Sequence, residues 1–237
     1  MIIARAILNL EKTKKEIYAG NPWVNHRAEV KNYFLRNKDE YYNRIFDLIN
    51  IAKYHNADIF LLPAIGLVYS NRRENMKYLN YVENDMLIAS GTLDISKKDG
   101  IEKAIFYNKN NKIDRTITMD SVYSIAYRGI PIYGAISSTI SNLYTNKSVK
   151  ELDDEKIDTK KYIAVDMGHH QYSGRYMLSI RRSHRFLMEK YGGKHLVLLS
   201  FWRFNGGNIN SDWFYSNLDV ICKRHQYNND IIDILEY

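Results

Sequence analysis

The chain has 237 residues, 45% of them hydrophobic and 26% charged, enough to build a packed core and too apolar for a globally disordered protein. Its single cysteine, Cys222, excludes an internal disulfide and a cysteine-rich zinc site, and fits a reducing compartment. The net charge of +7 favours polyanionic partners such as nucleotides or nucleic acid, but the Lys and Arg residues are spread along the chain.

Ile2 to Leu8 is apolar and reads as a strand. Met1 to Arg5 lacks the charged start and long apolar stretch of a secretory leader. Glu11 to Asn25, with Gly20 and Pro22, reads as a loop. A helical stretch follows from about Arg27 to Tyr54, with Asn37 as an interruption and Tyr42, Ile45, Phe46, Ile49 and Ala52 at helical spacing. Ala57 to Pro63 holds the short unbroken apolar run Ile59 to Leu62 closed by proline, the pattern of a strand buried on both faces. The longest apolar stretch, Ile59 to Tyr69, contains Pro63 and falls short of the ~20 residues a membrane helix needs, so a cytosolic protein with no membrane partner is expected.

Asn71 to Tyr81 reads as a second helix and Met86 to Leu93 as a strand. Ala104 to Tyr107 and Lys112 to Thr118 flank the turn residues Asn108 to Asn111 and form a predicted hairpin. Ser121 to Tyr127 and Ile130 to Tyr133 are further short strands, and Ser137 to Asp158 is polar without a clear period. Tyr162 to Met167 is a strand, Gly168 to Gly174 the loop after it, and Arg175 to Tyr191 a helix ended by Gly192 and Gly193. The densest basic group, Arg181, Arg182, His184 and Arg185, falls in that helix, where a solvated face is the plainer reading. His195 to Trp202 is the next strand. Ser211 or Asp212 is positioned to cap a last helix running to about Arg224, with Cys222 inside it. A single α/β domain over residues 1–224 with mixed sheets results, followed by a tail, 225–237, that packs back or meets a partner.

This order of elements, with the segments Ala57 to Pro63, Leu87 to Thr92, Phe106 to Ile113, Tyr162 to Asp166 and His195 to Trp202, resembles the carbon–nitrogen hydrolase, or nitrilase, superfamily over roughly residues 1–215. The resemblance implies a four-layer α-β-β-α sandwich. It also implies a Cys nucleophile, a Glu general base and a Lys that stabilises the oxyanion. The residue after the Ala57–Pro63 segment, where the Glu belongs, is Ala64. Ala164 precedes Val165 and Asp166, where the Cys belongs, and no lysine lies between Thr116 and Met119, where the Lys belongs. The implied amidase or nitrilase reaction therefore lacks its groups. Metal-dependent phosphodiesterases of the DNase I class share the architecture; Asp58, Ser211 and Asp212 echo them faintly, while Ala64 again replaces an acid.

The segment Asp166 to Arg175 gathers the most chemistry, at the carboxyl end of a strand where open α/β sheets build their sites. Asp166, His169 and His170 are the candidate catalytic groups: histidines move protons near neutral pH and the aspartate orients one. Tyr172 and Arg175 are candidate ligand contacts, Arg175 as an anion fork. Trp202 and Arg203, after the next strand, offer a stacking face and a second cation, although a packed rim tryptophan is the bland alternative. The spacing matches no established metal motif, and no cofactor is called for. Two functions stay open. One is a degenerate nitrilase-like domain that binds a small polar or anionic ligand in a binding or regulatory role. The other is a hydrolase or phosphodiesterase-type enzyme with a His/Asp/Arg site acting on a nucleotide or nucleic acid. Assembly with further copies of the chain is left open too.

Overall fold

The computed structural model describes residues 1–10, 30–82, 85–96, 101–110, 113–117, 123–136, 161–170, 189, 193–204, 214–217 and 219–237. Strand β1 (Ile2–Leu10) organises the first sheet. It pairs in parallel with β2 (Ile59–Leu61), and β2 pairs in parallel with β4 (Leu87–Asp94). β3 (Leu67–Tyr69) pairs with the second half of β4, and the hairpin of β5 (Ile101–Asn108) and β6 (Ile113–Ile117) extends the sheet antiparallel. Ile59, Phe60 and Leu61 are fully buried, as an unbroken apolar run between two strands requires.

In the second sheet β10 (Lys194–Phe204), β9 (Lys161–His170) and β8 (Ile130–Ile136) run parallel in that order. β7 (Tyr123–Tyr127) joins β8 antiparallel, and β11 (Phe214–Ser216) joins β10 antiparallel. The two sheets are continuous where Leu8, Asn9 and Leu10 pair with Trp202, Arg203 and Phe204. Ile163 and Val165 lie buried in β9, between β8 and β10.

Side chains alternate across a strand, and β1 sends its residues to two cores. Ile3 joins Leu61 and Phe106 against Ile132, Ile163 and Leu198 of the other sheet. Ala4, Ala6 and Leu8 face the helices. Those are α1 (residues 30–36), α2 (Lys38–Tyr54) and α3 (Arg72–Tyr81). Asn37, with φ −131° and ψ 45°, breaks the helical path between α1 and α2 where the sequence expects an interruption. α2 buries Tyr41, Tyr42, Ile45, Leu48, Ile49 and Ala52, one stripe at three- and four-residue steps. α3 starts on a capping box: the Asn71 side chain accepts from the Glu74 amide at 3.0 Å, and Glu74 accepts from the Ser70 amide at 2.7 Å. The architecture is the expected nitrilase-like α/β sandwich with mixed sheets. Of the helix expected over 175–191, which would supply the fourth layer, only Glu189 is described, and it is helical.

Three expectations need correction. No helix runs to Arg224: residues 214–216 form β11, and β12 (Ile221–Tyr227) carries Cys222. Residues 225–237 do pack back, one of the two courses expected, but the boundary at 224/225 falls inside β12: β12 and β13 (Asp230–Glu236) make a hairpin whose second strand pairs with β1 from Ile2 to Ile7. β9 continues through Gly168 to His170, so both histidines close a strand instead of lying in the loop beyond it.

Gly91 of β4 sits against the turn that follows β2. A Cβ added there would stand 2.3 Å from the Ala64 Cα and 2.6 Å from the Ile65 nitrogen, both backbone atoms that cannot swing aside. Gly91→Ala is expected to cost about 1–3 kcal/mol of stability through overpacking, read as a lowered urea midpoint; an unchanged midpoint would show that the turn yields freely.

Candidate functional site: the carboxyl rim of the parallel strands

β1, β2, β9 and β10 bring their carboxyl ends to one rim, and the turn from Leu62 to Gly66 lies across it. Two backbone bonds fix this turn to β4: Leu62 N donates to Ala89 O at 2.9 Å, and Gly91 N donates to Pro63 O at 3.1 Å. The Tyr41 hydroxyl, buried in α2, donates to Gly66 O at 3.0 Å. Burial pushes the Tyr41 phenol well above its ordinary range, so it stays a protonated donor. Ile65 takes φ 50°, a left-handed conformation that costs a β-branched residue about 1–3 kcal/mol and persists only when its surroundings dictate it.

Ala64, where the resemblance expects the general base, is fully buried in this turn. Its amide donates to Met167 O in β9 at 3.2 Å, and its carbonyl accepts from the Trp202 indole at 2.8 Å. The β9 residue that meets Ala64 is therefore Met167. Ala164, the expected nucleophile position, lies three residues back, in register with Val197 and Tyr133. Pairing between strands decides this offset, and a single sequence does not display it.

Of the candidate residues, His170 is in register with Trp202, Arg203 with Asn9, and Asp166 with Leu199 and Ala135. The structure thus places the backbones of His169, His170, Trp202 and Arg203 at neighbouring strand ends. Tyr172 and Arg175 lie outside the described residues. Trp202 follows the packed alternative and not the stacking one. Its side chain is fully buried among Leu8, Phe34 and the α2 face, so it presents no stacking surface to a ligand. The large apolar ring lowers its free energy more in the core, where its N–H has an acceptor.

Arg203 donates to the carbonyl of Asn229 in the β12–β13 turn. Burial holds its guanidinium below the ordinary value, against the opposing pull of Asp230. Asp58, the faint phosphodiesterase echo, falls at the opposite end of the strands: its carboxylate accepts from Ile2 N at 2.7 Å and from Arg128. Among the described residues no three His, Cys, Asp or Glu side chains gather as a metal site, and no helix is long and apolar enough to cross a membrane.

A second group of polar residues, unremarked in the sequence, borders this rim on the helical side. Arg44 of α2 binds the Asp230 carboxylate with two of its nitrogens and donates to Asn9 O at 2.7 Å. Its guanidinium lies 5.8 Å from the ring centres of both Trp202 and Tyr33. Burial works against the Arg44 charge, but Asp230 outweighs it and holds the pKa above the ordinary value. The signal in sequence was an arginine one residue before the buried Ile45, which places it at the margin of the packed stripe.

No protein-family model matches the chain, and no curated protein matches it in sequence. Solved structures do match its fold. An amidase from Nesterenkonia sp. superposes with a TM-score of 0.54 at 8% identity, over 85% of this chain and 76% of the amidase. A variant of an amidase of the nitrilase superfamily, from Nesterenkonia AN1, gives 0.50 at 8% identity, over 85% and 77%. A glutamine-dependent NAD+ synthetase from Acinetobacter baumannii gives 0.52 at 11% identity, and this chain, covered over 84%, spans 38% of the synthetase's length. The strand order, the paired sheets and these superpositions give the chain a carbon–nitrogen hydrolase-like fold.

Proposed function

We propose that this chain is a nitrilase-like module that acts by binding a small polar or anionic ligand at the carboxyl rim, without hydrolysing amides or nitriles. One observation carries the reading. Ala64, where the resemblance expects the general base, is fully buried, with its amide and carbonyl both bonded inside the protein. A methyl group moves no proton, and the backbone of the turn is held close against Gly91, where an added Cβ would stand 2.3 Å from the Ala64 Cα. The turn is fixed firmly enough to hold Ile65 in a strained conformation, yet no acid sits in it. Its neighbour across the rim, Met167, is no nucleophile at a carbonyl carbon. Cys222 lies in β12, opposite Leu235 and remote in the fold from that turn. The ligand would meet His169 and His170 at the end of β9, with Tyr172 and Arg175 following in the chain.

Incubation with short-chain amides and nitriles is expected to release no ammonia above the buffer rate. Turnover abolished by iodoacetamide, with the fold intact, would overturn the reading. AMP, ATP and a short oligonucleotide serve as binding probes. Loss of an arginine contact to phosphate in Arg175→Ala is expected to weaken binding roughly 10-fold or more. Equal affinity in Arg175→Ala and His169→Ala would remove the rim as the site, and hydrolysis of a probe that needs His169 would establish an enzyme instead.

A further inference from the structure

On the helical side of the rim, α2 and the β12–β13 turn enclose a cleft of about 570 Å³, within the range of small-molecule pockets. Trp202 separates it from Ala64: the indole N–H points to the Ala64 carbonyl, and Arg44 lies over the ring. We infer that this cleft is a binding site for a small polyhydroxylated ligand, neutral or positively charged, of the saccharide type. The inference stands apart from the rim reading and survives its failure.

The lining carries the argument. Five of its ten residues are asparagines: Asn9, Asn37, Asn43, Asn228 and Asn229. A carboxamide presents both donors and an acceptor, the complement of a hydroxyl group that does both at once. Asn228 takes φ 52° in the β12–β13 turn, a left-handed conformation asparagine tolerates, and Arg203 ties the next carbonyl. The carboxamides of the turn therefore sit on a held backbone and share the cleft lining with Asn43 of α2 and Asn37 just before it.

Charge excludes the other obvious class. Within a chain of net charge +7, this cleft holds three carboxylates, Glu40, Asp47 and Asp230, against one guanidinium. Two of the three nitrogens of that guanidinium, Arg44, are taken by Asp230 and the Asn9 carbonyl and the third lies 3.5 Å from the Tyr33 hydroxyl, so its charge is already countered by a carboxylate when an anion arrives. Asp47 accepts from the Tyr227 hydroxyl at 2.5 Å, while the Tyr33 phenol, raised by burial above its ordinary range, stays protonated 3.4 Å from Glu40. A phosphate or carboxylate entering here meets like charge. A sugar hydroxyl or an amine meets acceptors.

The test uses the full chain and saturation-transfer NMR with D-glucose, D-galactose, D-ribose, D-glucosamine and D-glucose 6-phosphate. At least one neutral or amino sugar is expected to bind, and the phosphate ester to bind roughly 10-fold more weakly than glucose, as one uncompensated charge contact implies. Asn43 is exposed on the cleft wall of α2, so Asn43→Leu is expected to abolish the sugar signal with an unchanged melting temperature. Silence from every sugar, tightest binding by the phosphate ester, or wild-type sugar binding by Asn43→Leu would each overturn the inference.

Discussion

Asp233→Ala is expected to remove about 3–5 kcal/mol of folding stability, a large part of what a domain possesses. Arg5, Asp233 and Arg224 lie directly opposite one another on β1, β13 and β12, an ion ladder across three neighbouring strands. The side chains of Arg5 and Asp233 are completely buried, whereas Arg224 is 32% exposed. Asp233 accepts from Arg224 at 2.7 and 2.9 Å and from Arg5. Removing the carboxylate takes this buried counter-charge away from Arg5, and that penalty exceeds the net benefit of the pair itself. Replacing both buried partners, as in Arg5→Met with Asp233→Leu, is expected to restore most of the loss. If the double variant is no more stable than Asp233→Ala, volume and not charge sets the cost. Both are read from urea midpoints at constant slope.

The same carboxylate fixes an acid response. Burial opposes its charge, but the Arg224 and Arg5 contacts prevail and hold its pKa below the ordinary 3.8. With the folded value depressed, the unfolded chain takes up the proton first as pH falls. The contribution is therefore complete above pH 3.8 and disappears as pH drops through the folded value. The gap between wild type and Asp233→Ala should narrow below pH 3.8, and a constant gap down to pH 2 would contradict the assignment.

What the sequence displays and what it hides follow from how each residue meets its partners. The unbroken run Ile59 to Leu62 announces a strand with neighbours on both sides, and β2 lies between β1 and β4. The β12–β13 hairpin was concealed by its position. β12 is an edge strand with exposed Lys223 and Arg224, so Ile221 to Tyr227 lacks the apolar alternation that marks a half-buried strand. The turn residues Asn228 and Asn229, ahead of the largely apolar stretch Ile231 to Leu235, were the available signal. Asp233 interrupts an apolar run and looks disruptive until β13 is set against Arg5. The cleft draws on β1, α1, α2 and the β12–β13 turn, and no local pattern unites residues so far apart in the chain. Ala64 and Ala164 were both legible as positions without a reactive group. That Met167 faces Ala64 depended on a three-residue offset along β9.

Trp202 separates two accounts of the rim. As a stacking surface, its replacement by phenylalanine would spare stability and weaken ligand binding. The structure predicts the reverse. Trp202→Ala is expected to cost about 3–5 kcal/mol, because a fully buried indole leaves a cavity that α1 and α2 cannot close. Trp202→Phe retains most of the apolar contact and loses one polar one, so the Ala64 carbonyl remains buried without the indole donor at 2.8 Å. That defect is expected to cost about 1–3 kcal/mol. It falls on the turn that already holds Ile65 at φ 50°, where a lost hydrogen bond acts on a conformation maintained by its surroundings. Hydrogen exchange should accordingly quicken first at the amides of Ala64 and Gly66 in Trp202→Phe. Unchanged exchange there, with full stability, would show that the indole packs at the rim without fixing the turn.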